Sequence, residues 1–155
     1  CIRDSVKSKL DELIAEDCKL NFLGDISKLP EKTREACLYA LDKTKDNKSL
    51  VINIALNYGG RDELVHAFRE IIAKGYGPDD ITEDMISDNL YTSGQSDPDL
   101  LIRPGGELRL SNFLIYQMAY TELYFTDVLW PDFTEDDLRE AILEFTRRDR
   151  RYGGL

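Results

Sequence analysis

Ile2, Val6, Leu10, Leu13 and Ile14 recur at three- and four-residue spacing, so the chain opens on an amphipathic helix. Residues 19–23 form a short apolar run that stops at Gly24 and Asp25, which predicts a strand and its turn. Pro30 suits the first position of a second helix, expected to reach about Lys45. Residues 50–56 (LVINIAL) are rich in β-branched side chains and apolar except at Asn53. That pattern predicts a strand buried on both faces. Residues 57–60 (NYGG) break it. Leu64, Val65, Phe68, Ile71 and Ile72 then mark the apolar face of another helix, stopped by Gly75 and Pro78.

The second half repeats the alternation in shorter pieces. Thr82 is placed to cap a short helix ending near Leu90, and residues 93–98 read as a loop. Residues 100–103 predict a strand, ended by Pro104, Gly105 and Gly106. Ser111 or Asn112 can cap a helix running through Phe113, Leu114 and Gln117. Residues 123–129 predict the last strand, closed by Pro131. Thr134 with Asp137 has the spacing of a capping box for a final helix, with Leu138, Ala141, Ile142 and Phe145 as its core face. A basic tail ending in glycines follows from Arg147. Helix and strand in alternation predict an α/β fold on a mostly parallel sheet, with helices on both faces. Such a layout normally opens on a strand, so residues 1–155 are expected to be one C-terminal portion of a larger domain.

Composition narrows the function classes. The 155 residues are one domain by size and carry a formal net charge of −10. That balance argues against broad binding to nucleic acid, which needs a positive face. No segment approaches the roughly 20 consecutive apolar residues of a membrane span, and no signal peptide is visible. The chain starts at Cys1 rather than Met, so an upstream segment is expected. Cys1, Cys18 and Cys37 are odd in number and widely spaced, which fits reduced thiols in a cytoplasmic protein better than zinc or disulfides.

In open parallel sheets ligands bind beyond the carboxyl ends of the strands. Three clusters follow strands here: Gly24 with Asp25, residues 57–61 (NYGGR) and residues 103–111 (RPGGELRLS), and all three are expected on one sheet edge. In the last, Arg103 ends a strand, two glycines let backbone amides approach a ligand, and Arg109 and Ser111 follow on alternating positions. Arginine forks, a hydroxyl and a helix start suit a phosphate or diphosphate. The same spacing also suits an arginine–Glu107 ion pair beside a tight turn, with Ser111 as a cap. Paired glycines in NYGGR are commonly a turn alone. His66, the one histidine, sits beside core positions of a helix and reads as packed or exposed rather than catalytic. Residues 79–83 and 136–140 both read DDxxE, a pattern that binds magnesium diphosphate in all-helical prenyltransferases. Here both fall at helix starts, where acids are favoured by the helix dipole.

Residues 103–133 (RPGGELRLSNFLIYQMAYTELYFTDVLWPDF) closely resemble the C-terminal signature of the cis-prenyltransferases, the undecaprenyl diphosphate synthase family. Residues 51–61 (VINIALNYGGR) and the ending RRYGG at 150–154 resemble that family too. The resemblance implies condensation of isopentenyl diphosphate onto an allylic prenyl diphosphate with a new cis double bond. By matching position it implies that Arg103, Arg109 and Ser111 hold the isopentenyl diphosphate, that Glu122 helps bind Mg²⁺, that Arg151 and Gly153 complete a partner subunit's site in a homodimer, and that Leu50 lines an apolar product tunnel. A cytoplasmic enzyme is implied, able to associate with the membrane periphery through its lipid product.

The family's Asp-Gly-Asn-Gly-Arg loop, which binds the allylic diphosphate and supplies the expected catalytic aspartate, does not occur in these residues, nor does its motif rich in Ser, Glu, Asn and Trp. The chain alone is therefore expected to supply only the isopentenyl diphosphate half-site and to be inactive. An accessory, non-catalytic subunit is the alternative, but accessory members tend to lose the diphosphate-binding residues that this chain keeps. A nucleotide-binding module is disfavoured because neither a G-x-G-x-x-G nor a P-loop pattern appears.

Overall fold

The structure, a computed structural model, describes residues 2–148, with side chains from residue 9 onward. Ile2 and Val6 of the first helix face, together with Cys1, Arg151 and Gly153, lie outside those described side chains or residues. Two compact units, Cys1–Ser93 and Gly94–Leu155, are taken in turn.

In the first unit, α1 (Ile2–Ala15) and α2 (Glu31–Thr44) pack on each other and on β1 (Cys18–Leu23). β1 pairs in parallel with β2 (Leu50–Ala55), in a register from Cys18 opposite Leu50 to Leu23 opposite Ala55. A parallel pair needs a crossover, and α2 supplies it. The core gathers Leu10, Leu20, Phe22, Cys37 and Ala40, with Leu13, Leu41, Ile52, Ile54 and Leu56 around them. Burying this apolar surface is the main stabilising contribution. Thr44 is fully buried at the end of α2: its hydroxyl donates to the Ala40 carbonyl at 2.9 Å and accepts the Leu20 amide at 3.0 Å. Cys18 and Cys37 are free and buried.

Two expectations are corrected in this unit. β2 is not buried on both faces. Ile52, Ile54 and Leu56 pack on the core, while Val51, Asn53 and Ala55 on the alternate face are exposed, Val51 to 43%; Leu50, on the core side at the strand's start, is 56% exposed. The helices α1 and α2 cover the face of the pair that holds the core. Asn53 fits on the alternate face because Asn21 across the pair donates its amide to it at 2.9 Å. The second correction concerns α3 (Gly60–Ala73), whose buried positions are Gly60, Glu63, Ala67 and Ile71. Val65, Phe68 and Ile72 are exposed. Ile71 is buried as expected and Leu64 is half-buried, but the rest of the buried stripe is Gly60, Ala67 and a charged residue, Glu63, whose hydrogen bonds are satisfied inside. The short helix α4 (Glu83–Ser87) starts where Thr82 accepts the Met85 amide, and Asp80 caps the preceding turn at Gly77.

In the second unit, β3 (Leu100–Arg103) pairs in parallel with β4 (Glu122–Phe125), Leu100 opposite Glu122 and Arg103 opposite Phe125. β4 is shorter than expected, since Thr126 and Val128 give their carbonyls to the Gly106 and Gly105 amides instead of continuing a ladder. No α-helix runs through Phe113, Leu114 and Gln117; residues 111–120 form successive turns. Ser111, Asn112 and Leu114 have positive φ of 51°, 63° and 42°, and left-handed residues interrupt a right-handed helix. The last helix, α5 (Glu135–Thr146), has the expected capping box: the Thr134 amide donates to Asp137 at 2.7 Å and the Thr134 hydroxyl accepts the Asp137 amide. It packs against β4. Its inward stripe is narrow, with Ala141 buried and Phe145 half-buried; Leu138 and Ile142, expected in the core, are 41% and 46% exposed. Among the described residues no helix is long and apolar enough to cross a membrane.

Candidate functional site

The parallel register of β1 and β2 sets their carboxyl ends side by side, and this joins the first two clusters. Gly24 has φ of 112°, and a Cβ there would stand 2.3 Å from the Leu56 carbonyl oxygen, so only glycine permits the approach. Asn57, itself at φ 48°, donates its side-chain amide to the Asp25 carbonyl at 3.0 Å. The Asp25 carboxylate accepts from the Ser27 hydroxyl at 2.5 Å and pairs with Lys28 at 3.0 Å. The Ser27 hydroxyl, and then Lys28, hold its carboxyl below the ordinary value.

Behind this rim, Glu63 is 1% exposed. It accepts the Tyr58 hydroxyl at 2.5 Å and the Tyr91 amide at 2.9 Å, so one buried carboxylate ties the NYGGR segment to the chain after α4. His66 stacks on the Tyr91 ring at 4.9 Å, as packing.

In the second unit Arg103 ends β3. Its Nη2 donates to the Ser111 hydroxyl at 3.4 Å, while Nε is buried with no hydrogen-bond partner among the described residues. A buried unpaired donor is costly, and an anion beside Arg103 would relieve it. Gly105 and Gly106 do have positive φ, 95° and 73°. Their amides are however engaged by Val128 and Thr126, at 2.8 and 2.9 Å, so the expectation that they face a ligand is corrected. Ser111 does not begin a helix, and the helix-dipole contribution expected there is absent. Arg109 is mostly exposed and pairs with Glu107. The two readings of this segment thus divide between its arginines: an ion pair at Arg109, an open donor at Arg103.

Glu122 opens β4. Its Oε2 accepts Arg148 Nη1 at 2.9 Å. No group of three or more His, Cys, Asp or Glu residues able to hold a metal ion occurs among the described residues. A lone carboxylate does not make a metal cage. It does fit Mg²⁺ that arrives on a diphosphate, because Mg²⁺ keeps several waters and takes one or two carboxylates beside substrate phosphates.

Three residues of these surroundings escape the sequence pattern. Glu63 and Tyr91 carry no motif; the single hint is a charge at a helix position flanked by apolar ones. Arg148 belongs to a run of basic residues that reads as solvated tail.

The chain matches the family model of undecaprenyl diphosphate synthases over residues 1–153. It is 48% identical over 154 residues to an isoprenyl transferase of Clostridium perfringens, covering 97% of this chain and 61% of that protein. It is 53% identical over 150 residues to an isoprenyl transferase of Geobacillus kaustophilus, covering 94% of this chain and 58% of that one. The chain thus spans about three fifths of the length of these relatives. Lavandulyl diphosphate synthase from Lavandula x intermedia, solved in complex with dimethylallyl diphosphate, superposes with a TM-score of 0.94 at 40% identity, over 99% of this chain and 68% of that one. The parallel α/β architecture is shared with that enzyme. From the match along nearly its whole length, the chain belongs to the undecaprenyl diphosphate synthase family of prenyltransferases.

Proposed function

We propose that the chain is part of a cis-prenyltransferase that condenses isopentenyl diphosphate with an allylic prenyl diphosphate. In that reaction a carbon–carbon bond forms between the allylic C1 and the isopentenyl alkene, the allylic carbon–oxygen bond breaks and releases inorganic diphosphate, and loss of a proton from the isopentenyl unit leaves a cis double bond. Arg103, Arg109 and Ser111 hold the diphosphate of isopentenyl diphosphate. The observation that carries this is the buried Arg103 Nε without a partner, beside the Ser111 hydroxyl. Arg109 is available because its exposed pair with Glu107 is worth little, so a multiply charged anion can displace the carboxylate.

Glu122 would hold Mg²⁺ on the substrate side. A divalent cation supplies charge neutralisation for the diphosphate. Leu50, exposed at the start of β2, lines the apolar product tunnel, and Arg151 and Gly153 complete the site of a partner in a homodimer. None of the described residues is assigned the catalytic aspartate. The family's Asp-Gly-Asn-Gly-Arg loop is absent from the 155 residues, so this polypeptide supplies the isopentenyl diphosphate half-site and does not turn over by itself.

Calorimetric titration with isopentenyl diphosphate tests the assignment. Arg103→Ala should weaken binding about 10- to 150-fold, the equivalent of one lost charge-assisted contact of ~1.5–3 kcal/mol. Wild-type affinity in that variant would refute it.

A further inference from the structure

Arg148 lies just past α5 and reaches back to β4. Its Nη1 donates to Glu122 Oε2 at 2.9 Å and to the Leu123 carbonyl at 3.0 Å, and its Nη2 meets the Glu144 carboxylate one turn earlier. The side chains of Arg148 and Glu122 are 29% and 28% exposed. The pairs Lys9–Glu12, Lys45–Asp42 and Arg139–Glu135 are far more open, every side chain at least 62% exposed. Arg148 is thus set apart by shielding and by three simultaneous acceptors, which need the planar fork of a guanidinium. Among the described residues, Glu122 takes its hydrogen bond and ion pair through Oε2.

We propose that Arg148 is the positioning residue for Glu122: it fixes the carboxylate through Oε2 and leaves Oε1 as the ligand for a divalent cation carried by the diphosphate. This rests on the reading of Glu122 as a metal ligand. The Leu123 carbonyl and Glu144 anchor the guanidinium independently of Glu122, so Arg148 stays in place whether or not Glu122 binds a cation. Ligating carboxylates are commonly oriented by such hydrogen bonds, and losing the outer partner typically weakens metal binding about 10- to 100-fold. The position also ties Glu122 to the end of α5, from which the tail departs.

The test is calorimetric titration of the full chain with isopentenyl diphosphate, with and without Mg²⁺. The ratio of the two affinities reads the metal contribution and does not depend on turnover. Arg148→Met should reduce that ratio about 10- to 100-fold while leaving the metal-free affinity unchanged. Arg148→Lys, which keeps the charge without the fork, should fall between it and wild type, and serves alone if the methionine variant does not fold by circular dichroism. Glu144→Gln, which keeps a carbonyl acceptor for Nη2, should keep the wild-type ratio, and a loss as large as that of Arg148→Met would count against anchoring independent of charge. A wild-type or larger ratio in the folded Arg148 variants overturns the proposal, the larger one because the guanidinium would then be a competitor of the cation. Glu122→Gln separates the two readings. If it retains the Mg²⁺ effect, the metal role of Glu122 fails; if it loses the effect while the Arg148 variants keep it, only the positioning role fails.

Discussion

Glu63 is a carboxylate with almost no access to water, held by the Tyr58 hydroxyl and the Tyr91 amide. Burying such a group is tolerable only while those partners stay, and removing it leaves both donors stranded. Glu63→Ala should therefore lower stability by about 1–3 kcal/mol, read as a shift of the urea midpoint with an unchanged slope. An unchanged midpoint would mean that the two donors find other acceptors. The same residue explains why the apolar spacing of α3 found Ile71 but missed the rest of its buried stripe. A pattern search places apolar side chains inward and has no term for a charge whose partners come from 5 and 28 residues away. The contact between Arg103 and Ser111 is the opposite case, since it joins residues only eight positions apart in one segment.

At the scale of elements, signals that act within one turn came through. Thr134 and Asp137 predicted the start of α5, and the bounds of β3 followed from an apolar run beside Pro104 and Gly105. Residues 111–120 did not, since Ser111 and Asn112 can serve as helix caps or adopt left-handed turns, and composition does not choose between these. The cap of α5 has a pH signature. The Thr134 side chain, and then its backbone amide, hold the Asp137 carboxyl below its ordinary value of 3.8. A carboxyl depressed in the folded state contributes stability above the unfolded value, lost as pH falls through the folded one. Thr134→Ala should cost about 1 kcal/mol near neutrality. The gap in melting temperature between variant and wild type should narrow below about pH 4 as Asp137 is protonated. A gap constant from neutrality to pH 3 would show that the charge takes no part in the cap.

For the molecule as a whole, the charge balance bears on how the proposed diphosphate would reach Arg103. The chain carries a net charge of −10, and its substrate is proposed to be an anion. Two electrostatic effects then oppose each other. Long-range repulsion acts over the approach and is screened within about 8 Å at physiological ionic strength. The contacts to Arg103 and Ser111 act at hydrogen-bond distance and are screened far less. Raising salt from low to physiological strength should therefore speed association of isopentenyl diphosphate with the chain, or leave it unchanged, contrary to the fall seen where the protein field steers a ligand inward. Stopped-flow association rates across a salt series would show this, and a steep fall with salt would mean that a local positive potential dominates. The same preparations carry the test of the half-site. Mixed with isopentenyl diphosphate, an allylic diphosphate and Mg²⁺, the 155-residue chain should bind the first and form no elongated product, since no Asp-Gly-Asn-Gly-Arg loop is present to hold the second. Robust product formation by the purified chain would overturn the half-site reading while leaving its family membership untouched.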